Sequence, residues 1–509
     1  MRSHAKAATA GSNLRRVGLP RLAFLCVPAL LLAALFAAPA QAAPETIAEF
    51  GPNAGQVWGP AGVALDRASG DLYVADNTNF RIDKFDSDGN FLLAWGFGVA
   101  DGTTPELQTC GPEATPPTST CFRGIPGVGA GGVVPDGVAV DQSSGAVYVS
   151  EGVSRWRVSK FTSSGQFVFM VGRNVNETKV AEGGATQAEK NICTAASGDT
   201  CGAGEAGAGP NEFSAAIGES SFHLGSVAVD SAGVVWVGSL DRLSSFDASG
   251  APGAEIALPG AGLTQSLAFD SADNFYVINQ LLPGVRKLEA GTGTLLETLD
   301  EAGQPRTVTL DEDDNIYVGD TTSPYRFKLY NPAGEQTAQF GAGQVIGTPA
   351  ADNEGGGNAL AVDKDTGTLY AASSRTAESE SVVQAFPLPE PGPLVEDQGF
   401  EGVEPTTATL TARINPENEQ TTYHFEYGTT TGYGQSTSIE TLGAEEFEAE
   451  DVAVGIEGLI PNTTYHFRVI AENECEPVAN PGHICTATGP DQTFTTLPAV
   501  RIDPQWASD

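Results

Sequence analysis

Eleven polar side chains in this chain could do chemistry together. They are Asp76, Asn77, Asn79 and Arg81; Glu151, Arg155 and Arg157; Asn279; and Asp320, Tyr325 and Arg326. Carboxylates, amides and guanidinium groups gathered at one mouth would bind a polar or charged ligand through directional hydrogen bonds. The same groups also bond neighbouring loops, and then they hold a scaffold rather than a ligand.

Other chemistry is thinly supplied. Of the five histidines, only His223 falls among the strand repeats set out below, with His424, His466 and His483 beyond them. A metal or proton-transfer site built on several imidazoles needs more than one candidate. No G-x-S-x-G nucleophile elbow occurs. Asp311-Glu312-Asp313-Asp314-Asn315 lacks the full ligand pattern of a calcium loop. Neither a metal nor a cofactor is expected.

The elements that position the eleven residues repeat. GVALD at 62–66, GVAVD at 137–141, SVAVD at 226–230, SLAFD at 266–270, TVTLD at 307–311 and ALAVD at 359–363 are apolar strands ending in aspartate. A second strand follows each after a short turn: LYVA at 72–75, VYVS at 147–150, VWVG at 235–238, FYVI at 275–278, IYVG at 316–319 and LYAA at 369–372. Third strands begin near 81, 157, 242, 284, 326 and 382, and fourth strands near 91, 167, 254, 295 and 336. Tandem strands with no helical pattern between them predict an all-β propeller. The sixth unit lacks a fourth strand, and TIAEF at 46–50 has the character to supply it, closing an otherwise open edge. The strand-end carboxylates Asp66, Asp141, Asp230, Asp270, Asp311 and Asp363 read as turn formers that cap backbone N–H groups.

Residues 59–96, GPAGVALDRASGDLYVADNTNFRIDKFDSDGNFLLAWG, resemble an NHL repeat, and the pattern recurs more loosely five times over 45–386. The resemblance implies a six-bladed propeller, the number that the strand count also gives. Related six-bladed hydrolases build lactonase sites from Glu, Asn and Asp in the channel. A carboxylate-dependent lactonase is therefore the alternative to a binding protein.

Antiparallel strands alternate in direction, so the first-to-second and third-to-fourth turns lie on one face. The second-to-third loops, which carry the eleven residues, lie on the other with the connections between units. The strand-end aspartates are 75, 89, 40, 41 and 52 residues apart, which places insertions at 96–135 and 172–222 on that second face. Long ordered loops on a rigid scaffold commonly carry function. The eleven residues are expected to converge there toward the mouth of a central channel.

Residues 1–42 read as a cleaved secretory signal: basic residues, an apolar run from Leu22 to Ala38, then Ala40-Gln41-Ala42. Its removal takes five of the 26 basic residues, leaving 21 against 64 acidic ones and a formal charge of −43. Such a surface repels phosphate backbones, which excludes nucleic acid, and fits a soluble monomer. The expected place is outside the cell or on its surface, with no integral membrane segment after cleavage. Six cysteines remain as close pairs, Cys110/Cys121, Cys193/Cys201 and Cys475/Cys485, expected to be disulfides that staple loops.

The propeller is expected over 43–386, a Pro-rich linker over 387–393, a second β domain over 394–498 and a tail over 499–509. Strands are expected at Ala408–Ile414, Thr422–Tyr427, Glu448–Ile456, Thr464–Ala471 and Gln492–Thr496. GLIPNTTY at 458–465, followed by FRVIAEN and the terminal QTFTTLP, resembles a fibronectin type III domain. The resemblance makes Tyr465 a tyrosine corner, its hydroxyl bonding backbone upstream. It also implies a spacer or adhesion module. The reading is a binding protein that recognises a protein or glycan ligand on its loop-rich face.

Overall fold

A computed structural model describes residues 44–152, 155–213, 224, 226–258, 262–322, 325–341, 348–349, 359–374, 381–389, 392–416, 420–443, 449–474 and 484–499. The expected signal, His223 and Cys475 lie outside the described residues. No helix among those described is long and apolar enough to cross a membrane.

The repeats form antiparallel sheets, each built from consecutive strands. The first sheet runs Pro60–Asp66, Asp71–Asp76, Arg81–Phe85, Phe91–Phe97 and Leu107–Cys110. The second runs Gly137–Asp141, Ala146–Glu151, Arg157–Phe161, Phe167–Gly172 and Ile192–Thr194. Three four-stranded sheets follow, opening with Val227–Val229, Thr264–Phe269 and Pro305–Leu310. In the last repeat sheet Leu360–Asp363, Thr368–Ser374 and Val382–Pro387 pair in order. Its next strand is Glu45–Phe50, with Glu45 opposite Ala385, Thr46 opposite Gln384 and Ala48 opposite Val383.

The first strands of successive sheets lie side by side in a cycle, and Leu360–Asp363 returns to Pro60–Asp66. This is a β-propeller, in which each sheet buries both faces against its neighbours. The layer between the last and first sheets joins Ala48, Tyr370 and Val383 to Val63, Leu72 and Phe85. The next layer packs Tyr73 and Trp95 against Val138, Val140 and Phe161. Trp95 is fully buried there, its ring 5.9 Å from both Tyr73 and Phe161. Truncating such a ring to Ala costs roughly 3–5 kcal/mol. Near the axis the sheets converge and space is short. The residue two before each strand-end aspartate is accordingly small: Ala64, Ala139, Ala228, Ala268, Thr309 and Ala361.

All six strand-end aspartates cap their turns as predicted. Asp230 Oδ1 accepts from the backbone N–H groups of Ala232 and Val234. Asp270 does the same for Ala272 and Asn274, and Asp311 for Asp313 and Asn315. Asp66 caps Ala68, Asp141 caps Ser143 and Asp363 caps Thr366.

Residues 394–499 contain two facing sheets. One orders Leu394–Glu401, Thr407–Asn415 and Glu450–Glu457; the other is centred on Thr422–Gly428 and Thr464–Glu474. Leu410, Ile414 and Val452 from the first meet Phe425, Phe467 and Phe494 from the second in one core. The Tyr465 hydroxyl accepts from Ile460 N–H at 3.0 Å, closing a corner five residues upstream. Leu394–Glu401 is a strand beyond the five expected from sequence. Its run LVEDQGFE carries too many charges to read as one, and pairing with Thr407–Asn415 makes it a strand.

Candidate functional site

In the first, second and fifth sheets, predicted residues at the ends of the second and third strands gather around a cation. In the first sheet, Arg81 is fully buried. Its Nε donates to Asp83 at 3.0 Å and lies 3.6 Å from Asp76. Nη1 donates to the carbonyls of Pro52 and Phe122, and Nη2 to those of Asn53 and Gln56. One guanidinium thereby ties the segment after the closing strand to the first insertion. Asp76 accepts from Trp58 N–H and from Asn79 Nδ2, which also donates to Gly51 O. Burial, then the neighbouring Asp83 carboxylate, push Asp76 well above the ordinary carboxylate range, against the pull of Arg81. Burial raises Asp83 as well.

The second sheet repeats the plan. Arg157 Nε donates to Glu151 at 2.8 Å, and both side chains are fully buried. Its Nη1 donates to Val128 O and Gly202 O, its Nη2 to Gly132 O. Val128 and Gly132 belong to the first insertion and Gly202 to the second, so the two insertions meet on one rim. In the fifth sheet Lys328 takes the central place, between Asp300 and Asp320. Burial raises Asp300 despite Lys328. Asp320 is also pushed up by burial, but Lys328 and the backbone donors of Thr322 and Gln304 bring it down to about 2.

Each of these two insertions adds a strand to the outer edge of a sheet and locks it with a disulfide. Leu107–Cys110 pairs along Phe91–Phe97, and Cys110 bonds Cys121. Ile192–Thr194 pairs along Phe167–Gly172, and Cys193 bonds Cys201. Cys485 is disulfide-bonded too. The strands LQTC and ICT carry no period of their own, and the open edges beside them make them strands.

Seven of the eleven predicted residues are buried: Asp76, Asn79, Arg81, Glu151, Arg157, Asn279 and Asp320. Asn77 donates to Pro135 O and Asp136, Arg155 to Gly127 O, and Asn279 to Gly262 O. Tyr325 and Arg326 are partly buried at the start of the fifth sheet's third strand. The partners of the buried side chains are neighbouring strands and loops. An axial cavity of about 560 Å³ is lined by the innermost strands and the first-to-second turns, and none of the eleven is among its lining residues. The terminal nitrogens of Arg81 and Arg157 turn toward carbonyls of loops that the sequence separates from them by 25 to 45 residues.

The loop-rich rim also carries residues outside the predicted eleven. The Arg123 guanidinium sits 5.1 Å from the Trp58 ring centre and 4.9 Å from that of Phe80, while its Nε donates to Thr78 O. Phe122 and Val128 on the first insertion, and Leu281 on the fourth sheet's second-to-third loop, are 43%, 44% and 70% exposed. Their sequence neighbourhoods are ordinary loops, and only the fold shows that these side chains are exposed. Among the described residues no group of three His, Cys, Asp or Glu side chains is placed to hold a metal ion.

A family model described as NHL repeat matches residues 58–85, the first two strands of the first sheet and all of its third. No curated protein matches the sequence. Among solved structures, a gluconolactonase from Xanthomonas campestris is 11% identical over 68% of this chain and 94% of its own, with a TM-score of 0.38. A virginiamycin B lyase from Staphylococcus aureus is 11% identical over 72% and 94%, with a TM-score of 0.33. A streptogramin B lyase is 13% identical over 67% and 96%, with a TM-score of 0.36. The chain thus carries an NHL repeat within a β-propeller.

Proposed function

We propose that this chain is an exported binding protein whose loop-rich propeller face recognises a protein or glycan ligand. The observation that carries the reading is the construction of the two insertions. Each is fixed by a disulfide and an added strand, and Arg157 ties both to the second sheet. The first insertion nevertheless leaves Phe122 and Val128 exposed. A rigid platform with exposed apolar groups loses little entropy on binding, as a recognition surface requires.

The finer architecture belongs to the same proposal. The six repeat sheets are the blades of a six-bladed NHL propeller, over 43–386. Residues 394–498 form a fibronectin type III domain acting as spacer or adhesion module. Residues 1–42 direct export to the cell surface or beyond, which the disulfides support because such bonds persist in oxidising compartments. A lactonase is the competing reading, and it needs carboxylates directed into the channel. The cavity walls are instead alanine, valine, leucine, phenylalanine and threonine, with the carboxylates confined to the turns at the rim.

The test is a glycan and peptide array probed with the full chain and with a Phe122→Ser/Val128→Ser variant, beside a panel of lactones. Saturable array binding that the variant loses supports the proposal. Lactone turnover, or array binding indifferent to the two substitutions, overturns it.

A further inference from the structure

The axial cavity lies on the rim opposite the insertions, because its polar lining comes from the first-to-second turns. Its walls are apolar. Ala64, Ala268 and Thr309 are partly open to it, where strands close to the axis leave room only for small side chains. A volume of about 560 Å³ is that of a small-molecule site. The mouth is strongly one-signed: the lining holds seven carboxylates and one guanidinium, Arg67. Arg67 is itself engaged, donating to Leu310 O at 3.0 Å with Glu312 3.7 Å away.

The rim is also fixed in place. Asp273 accepts from the Ser231 backbone N–H and hydroxyl at 2.9 and 2.8 Å, linking the third sheet to the fourth. Asp314 accepts both equivalent bonds from Ser271 at 2.6 Å, linking the fourth to the fifth. Both aspartates hold positive φ, 60° and 62°, so these turns are built for the interlock. Burial pushes Asp270 up, but Asn274 and Lys287 outweigh it and leave it below the usual range.

We infer that this cavity binds an amphipathic organic cation, its apolar body against the strand walls and its ammonium group at the carboxylate rim. Charge complementarity selects the occupant: a carboxylate ligand of the same shape would enter against the field of the rim, and a neutral one would gain nothing from it. The site is independent of the loop-rich face proposed above.

The experiment is calorimetric titration of the full chain with benzyltrimethylammonium, and with 3-phenylpropionate as the anion of similar size. The cation is expected to bind at least about tenfold more tightly than the anion, with affinity falling as salt rises from about 0.05 to 0.5 M. Ala268→Phe, which fills the cavity, is expected to abolish binding. Glu312→Lys, on an exposed turn that leaves the sheets untouched, is expected to weaken it roughly threefold or more. No binding up to about 10 mM cation overturns the inference. So does equal binding of the anion, or cation binding unaltered in both variants.

Discussion

Arg81 and Arg157 occupy the same place in consecutive sheets and make bonds of the same kind. Each puts Nε on a carboxylate of its own sheet and directs both terminal nitrogens at loop carbonyls. The loops so held differ: Arg81 holds the segment after the closing strand and the first insertion, and Arg157 holds both insertions. The repeat supplies one cationic anchor, and the insertions have been fitted to it.

Arg157→Ala should therefore unfold more than a loop. It leaves Glu151 as a buried charge with its main partner gone and frees three carbonyls, at a cost of about 3–5 kcal/mol. Chemical denaturation of the variant would measure it. Arg157→Lys keeps the charge but gathers its three donors on one nitrogen and loses the fork that reaches both insertions, so it should fall between the two. A loss under about 1 kcal/mol for the alanine variant would show the insertions to be held elsewhere.

Asp76 and Asp83 set a pH dependence. Both are raised above the ordinary value of 3.8, so the folded chain binds their protons more tightly than the unfolded one. The resulting stabilisation is complete below 3.8 and is lost as pH rises through the folded value. Asp83→Asn removes one carboxylate of the pair and keeps an oxygen for Arg81. Its stability should fall less than that of the wild type between about pH 4 and 7, as read from melting temperatures across that range.

The Cys110–Cys121 bridge closes a separation of 11 residues and Cys193–Cys201 one of 8. Loop-closure entropy assigns each roughly 2.5–3 kcal/mol. Replacing Cys110 and Cys121 by alanine should accelerate hydrogen exchange at Leu107–Cys110 before any other strand, because that strand holds the sheet edge only through the insertion. Unchanged exchange there would separate the bridge from the strand.

Closure of the ring by Glu45–Phe50 can be tested covalently. Glu45 and Ala385 are directly paired. Cysteines at both positions should form an additional bridge, seen by intact mass under non-reducing conditions and as a higher melting temperature. Cysteines at Glu45 and Gln336, on the fifth sheet's outer strand, should not.

Much of this was legible in the sequence. The strand-end aspartates gave the sheets and their turns, and the unit lacking a fourth strand pointed to residues 46–50. Tyr465 announced its corner through the residues before it. The strands at 107–110 and 192–194 were not legible, because three or four residues without alternation become a strand only when an edge is offered. The candidate site was legible in residue type but not in orientation. Arg81 and Arg157 were visible as cations in second-to-third loops. Whether they face solvent depends on carbonyls far along the chain, which no local pattern encodes.

Ligand recognition by the insertion face is read out by array binding of the Phe122→Ser/Val128→Ser variant beside the wild type. Both proteins should melt alike, since the two side chains are exposed, while the wild type alone retains a saturable ligand. Equal binding by the two would show that the ligand is held elsewhere.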